Sequence, residues 1–327
     1  MRKAGLYMML VVYGPTVSGK TSLALKLAKK YNGEIISADS RQIYKSLDIG
    51  TGKIPFESSF EKHNNYWIVD GSKIHGFDIT SPQSRFSSAD FKNFASPIIS
   101  NLQTENALPI VAGGSGFYIK TLLSNYSTFG IKQNPQLRKE LEKKSALELY
   151  NQLLKINKKR ALDMNDSDKN NPRRLIRAIE VTSYQSAPKN PTINHHQATI
   201  YPDEGRTDLL IIGLSAPNNY LFKKADDWLD LRLKKGLIDE VNNLLAQKIS
   251  PAWLDSLGLE YRWITRYLLN DIDKDTAVER LKGDIHSLIR RQKTYFTQFK
   301  NMTIYDISKK GWEKSLKEKV ASWYKHQ

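Results

Sequence analysis

No cysteine occurs among the 327 residues of the chain. That absence excludes disulfides, cysteine-ligated zinc and a thiol nucleophile, and it suits a reducing cytoplasm. Also missing is a run of ~20 apolar residues, the length a membrane-spanning helix needs. The nearest approach is Leu6–Tyr13, which follows Arg2 and Lys3 as the apolar part of a secretory signal would. It is short, no small-residue cleavage site follows it, and it runs straight into a glycine-containing loop. We read it as the first buried strand. Acidic residues are few relative to basic ones, 34 against 50, which leaves a formal net charge of +16. Such an excess favours a polyanion, through phosphate neutralisation and counterion release; an inert lysine-rich surface is the plainer alternative. With 40% hydrophobic and 26% charged residues, the chain is a folded protein with room for one large domain or two ordinary ones.

What is present is a phosphate cradle. GPTVSGKT (Gly14, Pro15, Thr16, Val17, Ser18, Gly19, Lys20, Thr21) fits G-x-x-x-x-G-K-[ST] at every fixed position. An apolar strand pattern precedes it and a helical pattern follows. Gly14 and Gly19 let backbone N–H groups face oxygens, and the helix N-terminus adds its dipole. Lys20 supplies a point charge and Thr21 can ligate Mg²⁺. A chance glycine-rich turn is the alternative, and the strand–loop–helix context argues against it. The loop by itself specifies a di- or triphosphate, not a nucleotide. A nucleotide hydrolase should also show an apolar strand ending in Asp, whereas LPIVA (Leu108–Ala112) ends in Gly113-Gly114-Ser115-Gly116. Asp39 ends a different strand. A carboxylate there can hold magnesium or take a proton from a nucleophile; taken alone, an ordinary helix-capping Asp is the plainer reading.

The element pattern predicts strands over Leu6–Tyr13, Glu34–Ser37, Leu108–Ala112 and Asp208–Leu214, alternating with helices such as Thr21–Tyr31. That alternation implies a parallel sheet, whose ligands collect at the carboxyl ends of the strands. Gly14–Thr21, Asp39–Gln42 and Gly113–Gly116 all fall at such ends and are expected to converge. From about Gln133 to Ser183 the pattern is helical, polar and basic. Ser186–Gly205, rich in Pro, Asn and His, reads as a connection, and its His195-His196 pair has no third ligand at metal spacing, so no zinc is expected. Apolar residues at helical spacing then predict one helix over Tyr220–Gln247, another over Asp275–Phe299 and an amphipathic closing helix after Lys309.

Longer motifs carry a resemblance. ISADSRQIYKSLDIGTGK (Ile36–Lys53), HGFDITSPQSRFSSADF (His75–Phe91), PIVAGGSGFYIKTLL (Pro109–Leu123), NPRRLIRAIEV (Asn171–Val181), GLIDEVNNLL (Gly236–Leu245) and RRQKTYF (Arg290–Phe296) join the cradle in one order. In this the chain resembles the tRNA dimethylallyltransferases, also called isopentenyl-tRNA or IPP transferases, over most of its length. The resemblance implies dimethylallyl pyrophosphate in the cradle, Mg²⁺ at Thr21 and a tRNA anticodon stem-loop as acceptor. It implies that the adenosine N6 amine 3′ of the anticodon attacks the allyl carbon. Asp39 would be the base, with Thr16 and Ser115 at the reacting centre; Ser115 stands where the family has a threonine. It assigns tRNA contacts to Asp39, Ser40, Arg41 and Gln42, and to Arg173, Arg174, Leu175, Ile176 and Arg177. Tyr44 and Phe117 are expected to line the prenyl or base pocket. The expected fold is α/β: a P-loop NTPase-like parallel sheet flanked by helices, residues 1–127 and 200–327, with an all-helical tRNA-binding insertion, residues 128–199. A cytoplasmic monomer with no membrane association is expected.

The match also departs from the family. Trp228 stands where the family has an arginine that helps bind pyrophosphate, and tryptophan cannot replace a guanidinium fork. Arg232, one turn on, and Lys224, one turn back, are the basic residues placed to compensate. Glu260 replaces a basic position, His286 and Ser287 replace an arginine and a glutamine, and extra sequence lies between Lys53 and His75. These departures keep three alternatives open: a diverged copy that binds RNA with weak or no transferase activity, an adenylate isopentenyltransferase, and a small-molecule P-loop kinase. The long basic insertion argues against the second.

Overall fold

A strand buried on both faces reads as an unbroken apolar run. β1 (Met9–Tyr13) is one: Leu10, Val11, Val12 and Tyr13 are fully covered. The computed structural model describes residues 8–53, 58–124, 131–186, 208–299 and 301–325. Around β1 it builds one sheet from β2 (Gly33–Ser37), β3 (Phe60–His63), β4 (Tyr66–Val69), β5 (Ser72–His75), β6 (Leu108–Gly113), β7 (Leu209–Ser215) and β8 (Met302–Asp306). The spatial order is β3-β4-β5-β2-β6-β1-β7-β8. From β5 to β8 all neighbours are parallel, with Val11 facing Val111 on one side and Ile211 on the other. β3 and β4 run antiparallel at one edge, so the expected parallel sheet is a mixed one. The added edge comes from the extra segment between Lys53 and His75. Its β3 is exposed along its length and has no apolar pattern to announce it.

The contacts divide the chain into two compact units, Met1–Leu123 with Ile200–Gln327, and Ser124–Thr199. In the sheet unit, α1 (Lys20–Tyr31) buries Leu23, Ala24, Leu27 and Ala28, and α2 (Ser88–Thr104) starts from a Ser87–Asp90 capping box. A short α3 (Gly116–Leu122) follows β6.

The second unit is all-helical among its described residues: α4 (Pro135–Leu141), α5 (Ala146–Ile156), α6 (Lys158–Leu162), α7 (Asp166–Lys169) and α8 (Pro172–Gln185). Its core joins Leu141, Leu149, Leu153, Met164, Leu175 and Ile179. Residues 125–130 and 187–207, which include His195, His196 and the Pro- and Asn-rich connection, lie outside the described residues.

Returning to the sheet unit, the single helix expected over Tyr220–Gln247 is two, α9 (Asn218–Lys234) and α10 (Leu237–Ala246). Gly236 at φ 99° breaks the backbone between them while the apolar spacing continues on both sides. Then come α11 (Pro251–Leu257), α12 (Leu259–Leu268), α13 (Lys274–Thr294), which tightens into a 3₁₀ turn at Tyr295–Gln298, and α14 (Trp312–Lys325).

In the helical unit one carboxylate holds two helices. Glu180 of α8 is buried and accepts from Arg138 Nε and Nη2, both at 2.7 Å, from the Asn134 amide at 2.8 Å and from Arg177 at 3.1 Å. Burial pushes its carboxyl up, but these donors outweigh burial and hold it below the usual carboxylate range. Glu180→Ala should therefore destabilise the chain by ~3 kcal/mol, read as an earlier denaturant transition. The contribution exists while Glu180 is ionised. It should fade as the pH falls below the normal glutamate range, and the Glu180→Gln variant should lack that acid sensitivity. Equal acid sensitivity in both proteins would sink this assignment.

Candidate active site

The phosphate loop leaves the buried end of β1 and enters α1. Gly19, at φ 83°, turns the chain into the helix, and Val17 sits at φ 60°, a region that strains a β-branched residue by ~1–2 kcal/mol. Lys20 Nζ donates to Pro15 O at 2.7 Å, closing the loop on itself. Enclosure of the ammonium lowers its pKa to about 8, against the opposing pull of the Asp39 carboxylate. Two polar groups in the loop are left over. Ser18 Oγ is buried with no partner, and the Thr21 hydroxyl has none among the described residues. Spare donors and oxygens at a helix N-terminus fit a bound anion with its cation.

The ends of β2 and β6 meet this loop. Ala38 N donates to Ala112 O at 2.8 Å and Ser115 N to Ala38 O at 3.1 Å, which sets Asp39 and Ser115 side by side. Ser115 Oγ accepts from Ser40 N at 2.9 Å, and Asp39 Oδ1 accepts from Arg41 N at 3.0 Å. Thr16, Asp39, Ser40, Arg41 and Ser115 all line one cavity of about 500 Å³, together with Tyr44 and Phe117. The three strand-end loops thus converge in the manner expected of an open α/β sheet. Gln292 of α13, assigned no role from the sequence, ties two of them together. Its Oε1 accepts from Thr16 N at 2.8 Å and its Nε2 donates to Gly114 O at 3.0 Å. The signal was a polar residue at the interval expected of the buried stripe Leu281, Ile285, Ile289.

The loop from Ala38 to Lys53 carries Asp39 and is held from several sides. Gln42 Nε2 donates to Thr51 O and Gly52 O, and Arg41 donates twice to Leu257 O, at 2.6 and 3.2 Å. The fully buried Lys53 donates to Tyr44 O and pairs with Asp48 and Asp78. Asp78 Oδ2 also accepts from Trp67 Nε1, so the extra edge hairpin buttresses this loop. Glu240 of α10 accepts from the amides of Asp48, Ile49 and Gly50 and from Tyr261 Oη. The DIGT and GLIDE motifs are therefore two halves of one contact.

The departures from the family pattern also form one packed set. Trp228 lines the cavity, and the guanidinium of Arg232 stacks on its ring at 3.7 Å. Arg232 is fully buried: Nη1 donates to Gly50 O at 2.7 Å, Nη2 lies 2.8 Å from Glu260 Oε1 outside hydrogen-bond geometry, and Nε has no partner. Arg232 therefore does not compensate for the missing arginine, because Trp228 and Glu260 enclose it. Lys224 does not reach the cavity either; its ammonium lies 5.7 Å from the Tyr220 ring. Glu260 is a core ion-pair partner. His286 stacks on Phe222 at 4.1 Å and bonds Asp226 at 2.9 Å, joining α13 to α9.

In the helical unit, Arg173 is exposed with no partner among the described residues, and Arg174, also exposed, pairs with Asp168. Arg177 donates to Glu180 and to Ile131 O. Leu175 and Ile176, placed by the sequence among the RNA contacts, have buried side chains in that unit's core. Their apolar spacing on α8 explains it.

A family model described as IPP transferase matches residues 42–299, beginning just after the cradle and Asp39. The tRNA dimethylallyltransferase of Acetivibrio thermocellus is 39% identical over 92% of this chain and 91% of its own. The tRNA dimethylallyltransferase 1 of Azobacteroides pseudotrichonymphae is 35% identical over 89% of each. The crystal structure of the tRNA isopentenylpyrophosphate transferase from Bacillus halodurans superimposes with a TM-score of 0.68 at 28% identity, covering 98% of this chain and 97% of that one.

Two outcomes follow from the geometry. The Lys20 ammonium should lose its proton as the pH rises through about 8. Pyrophosphate affinity, measured by titration calorimetry, should therefore fall above that pH more steeply than in Lys20→Arg, whose charge persists. Parallel pH profiles would refute this. The second concerns Gly52, at φ 59°: a Cβ there would lie 2.4 Å from the Trp228 ring. Gly52→Ala should cost ~1–3 kcal/mol, and less in a Trp228→Ala background; an equal cost in both would disprove the contact.

Proposed function

The chain belongs to the IPP transferase family, and on that footing we propose that it transfers a dimethylallyl group from dimethylallyl pyrophosphate to N6 of the adenosine 3′-adjacent to a tRNA anticodon, releasing pyrophosphate. The observation that carries the reading is the single cavity in which Thr16 of the phosphate cradle, Asp39 and Ser115 meet an apolar wall of Tyr44, Trp228 and Leu259. One side suits an anion and the other a prenyl group.

The cradle holds the leaving group. Backbone N–H groups of residues 14–21 and the Lys20 ammonium face the pyrophosphate, where negative charge grows as the C–O bond to the allyl carbon breaks. Thr21, at the first turn of α1, is the residue we assign to Mg²⁺, whose charge would offset that of the pyrophosphate when bound. Asp39 accepts the N6 proton as the nitrogen lone pair forms the new N–C bond, and its electrostatic partner Lys20 stands between base and leaving group. The hydroxyls of Thr16 and Ser115 orient the reacting groups. The acceptor base has to leave its stack to enter the cavity.

For RNA, Asp39 and Ser40 present free functional groups to the cavity, while the side chains of Arg41 and Gln42 hold their own loop. On the insertion, Arg173 and Arg174 supply exposed cations for the anticodon stem-loop, with Arg177 behind them on the same helix. The net charge of +16 supports a polyanionic partner. No helix among the described residues is long and apolar enough to cross a membrane. All cavity walls come from one chain, which supports a monomer acting on tRNA in the cytoplasm.

The test mixes the protein with dimethylallyl pyrophosphate, Mg²⁺ and an unmodified anticodon stem-loop with consecutive adenosines, and weighs the RNA by mass spectrometry. A gain of one dimethylallyl group is expected, and Asp39→Ala should slow it by roughly 10²–10⁴-fold. An unmodified stem-loop, or a fully active Asp39→Ala, would overturn the reading.

A further inference from the structure

A pyrophosphate brought into this cavity needs more positive charge than Lys20 alone, and the wall that α9 presents to it is Trp228, with Arg232 enclosed behind it. We propose that Arg291, on the opposite helix α13, is the guanidinium that holds the pyrophosphate. The assignment rests on the proposed function and extends it to the source of the second cation.

Elimination on the page leads there. Two arginines line the cavity, Arg41 and Arg291. Both donating edges of Arg41 that face Leu257 are engaged with its carbonyl. The last turn of α13 carries three cations, and two of them turn away. Arg290 donates to Ser287 and lies 5.3 Å from the Phe222 ring, while Lys293 donates to Ala216 O and Asn218. Arg291 is exposed and its guanidinium has no partner among the described residues.

Its direction follows from the helix. Leu288, Arg291 and Tyr295 recur at intervals of three and four, so they share a face, and all three line the cavity. The next residue, Gln292, is bonded to the backbone of Thr16 within the cradle and to Gly114. The root of Arg291 is thus pinned beside the phosphate loop, while its guanidinium stays free to move onto an anion. A planar fork suits two oxygens of one phosphate. The same chemistry would also fit a phosphate of the RNA backbone, and the measurement separates the two sources.

The measurement is titration calorimetry of inorganic pyrophosphate with Mg²⁺ into the full chain without RNA. Arg291→Ala should raise the Kd roughly ten- to a hundredfold, the loss of a charge-assisted contact. Arg291→Lys should recover part of the loss, and Arg290→Ala should leave the Kd unchanged. Arg291→Lys keeps the charge at the helix end, so it reports even if the alanine variant folds poorly. An unchanged pyrophosphate Kd for Arg291→Ala overturns the proposal. If stem-loop affinity then falls and its salt slope drops by about one, the guanidinium serves an RNA phosphate. If neither changes, Arg291 only offsets the helix dipole. An unsubstituted chain that binds no pyrophosphate would overturn both this assignment and the transferase reading. Normal binding with no transfer to RNA would overturn the transferase reading alone.

Discussion

Three consecutive backbone amides, those of Asp48, Ile49 and Gly50, converge on the carboxylate of Glu240. The loop from Ala38 to Lys53 forms no strand or helix of its own, so its peptide groups need partners from elsewhere or lose the free energy of a buried unpaired polar group. Glu240 supplies three of them at once, and Tyr261 Oη holds that carboxylate in turn. Gly50 closes the arrangement: its N–H goes to Glu240 and its carbonyl accepts from Arg232. Because the same loop begins with Asp39, the position of the base depends on helices from the second half of the chain. The sheet sets where Asp39 can be; α10, α12 and α9 decide where it is.

That dependence explains why the substitutions around the cavity come as a group. A buried guanidinium needs a carboxylate, and Glu260 provides it. A tryptophan at position 228 needs space against residue 52, and a glycine provides it. The Trp228 ring then covers Arg232, which stacks on it. Read along the sequence, an arginine has been lost at 228 and a basic residue has turned acidic at 260, which suggests a failing site. In three dimensions they are parts of one apolar, neutralised wall. The charge that this wall lacks has to come from the facing helix, where Arg291 stands.

Local signals carried much of the architecture. β1, β2, β6 and β7 were legible because central parallel strands must be apolar on both faces, and the cradle because few residue types allow its backbone. The edge was not legible. β3 has four exposed residues, and β8 pairs on one side only, so neither carries a burial pattern. The break at Gly236 was missed because the apolar spacing of α9 continues in phase through it. Gln292 lay inside a motif, but nothing in a linear sequence says that a carboxamide will reach a loop 276 residues away.

By itself the sequence determined the chemistry on offer: a phosphate loop with its lysine and threonine, a carboxylate at a strand end, and an excess of positive charge. These follow from residue type and short-range backbone geometry, which neighbours in the chain suffice to define. Only the tertiary structure decided which charges are available to a substrate. Arg41, Arg232, Arg290 and Arg291 are the same residue type in the sequence, yet three have their guanidiniums engaged by a carbonyl, a buried carboxylate or a neighbouring hydroxyl and ring. Whether a guanidinium is free depends on partners far away in the chain, because a buried or hydrogen-bonded charge is neutralised by whatever the fold brings to it.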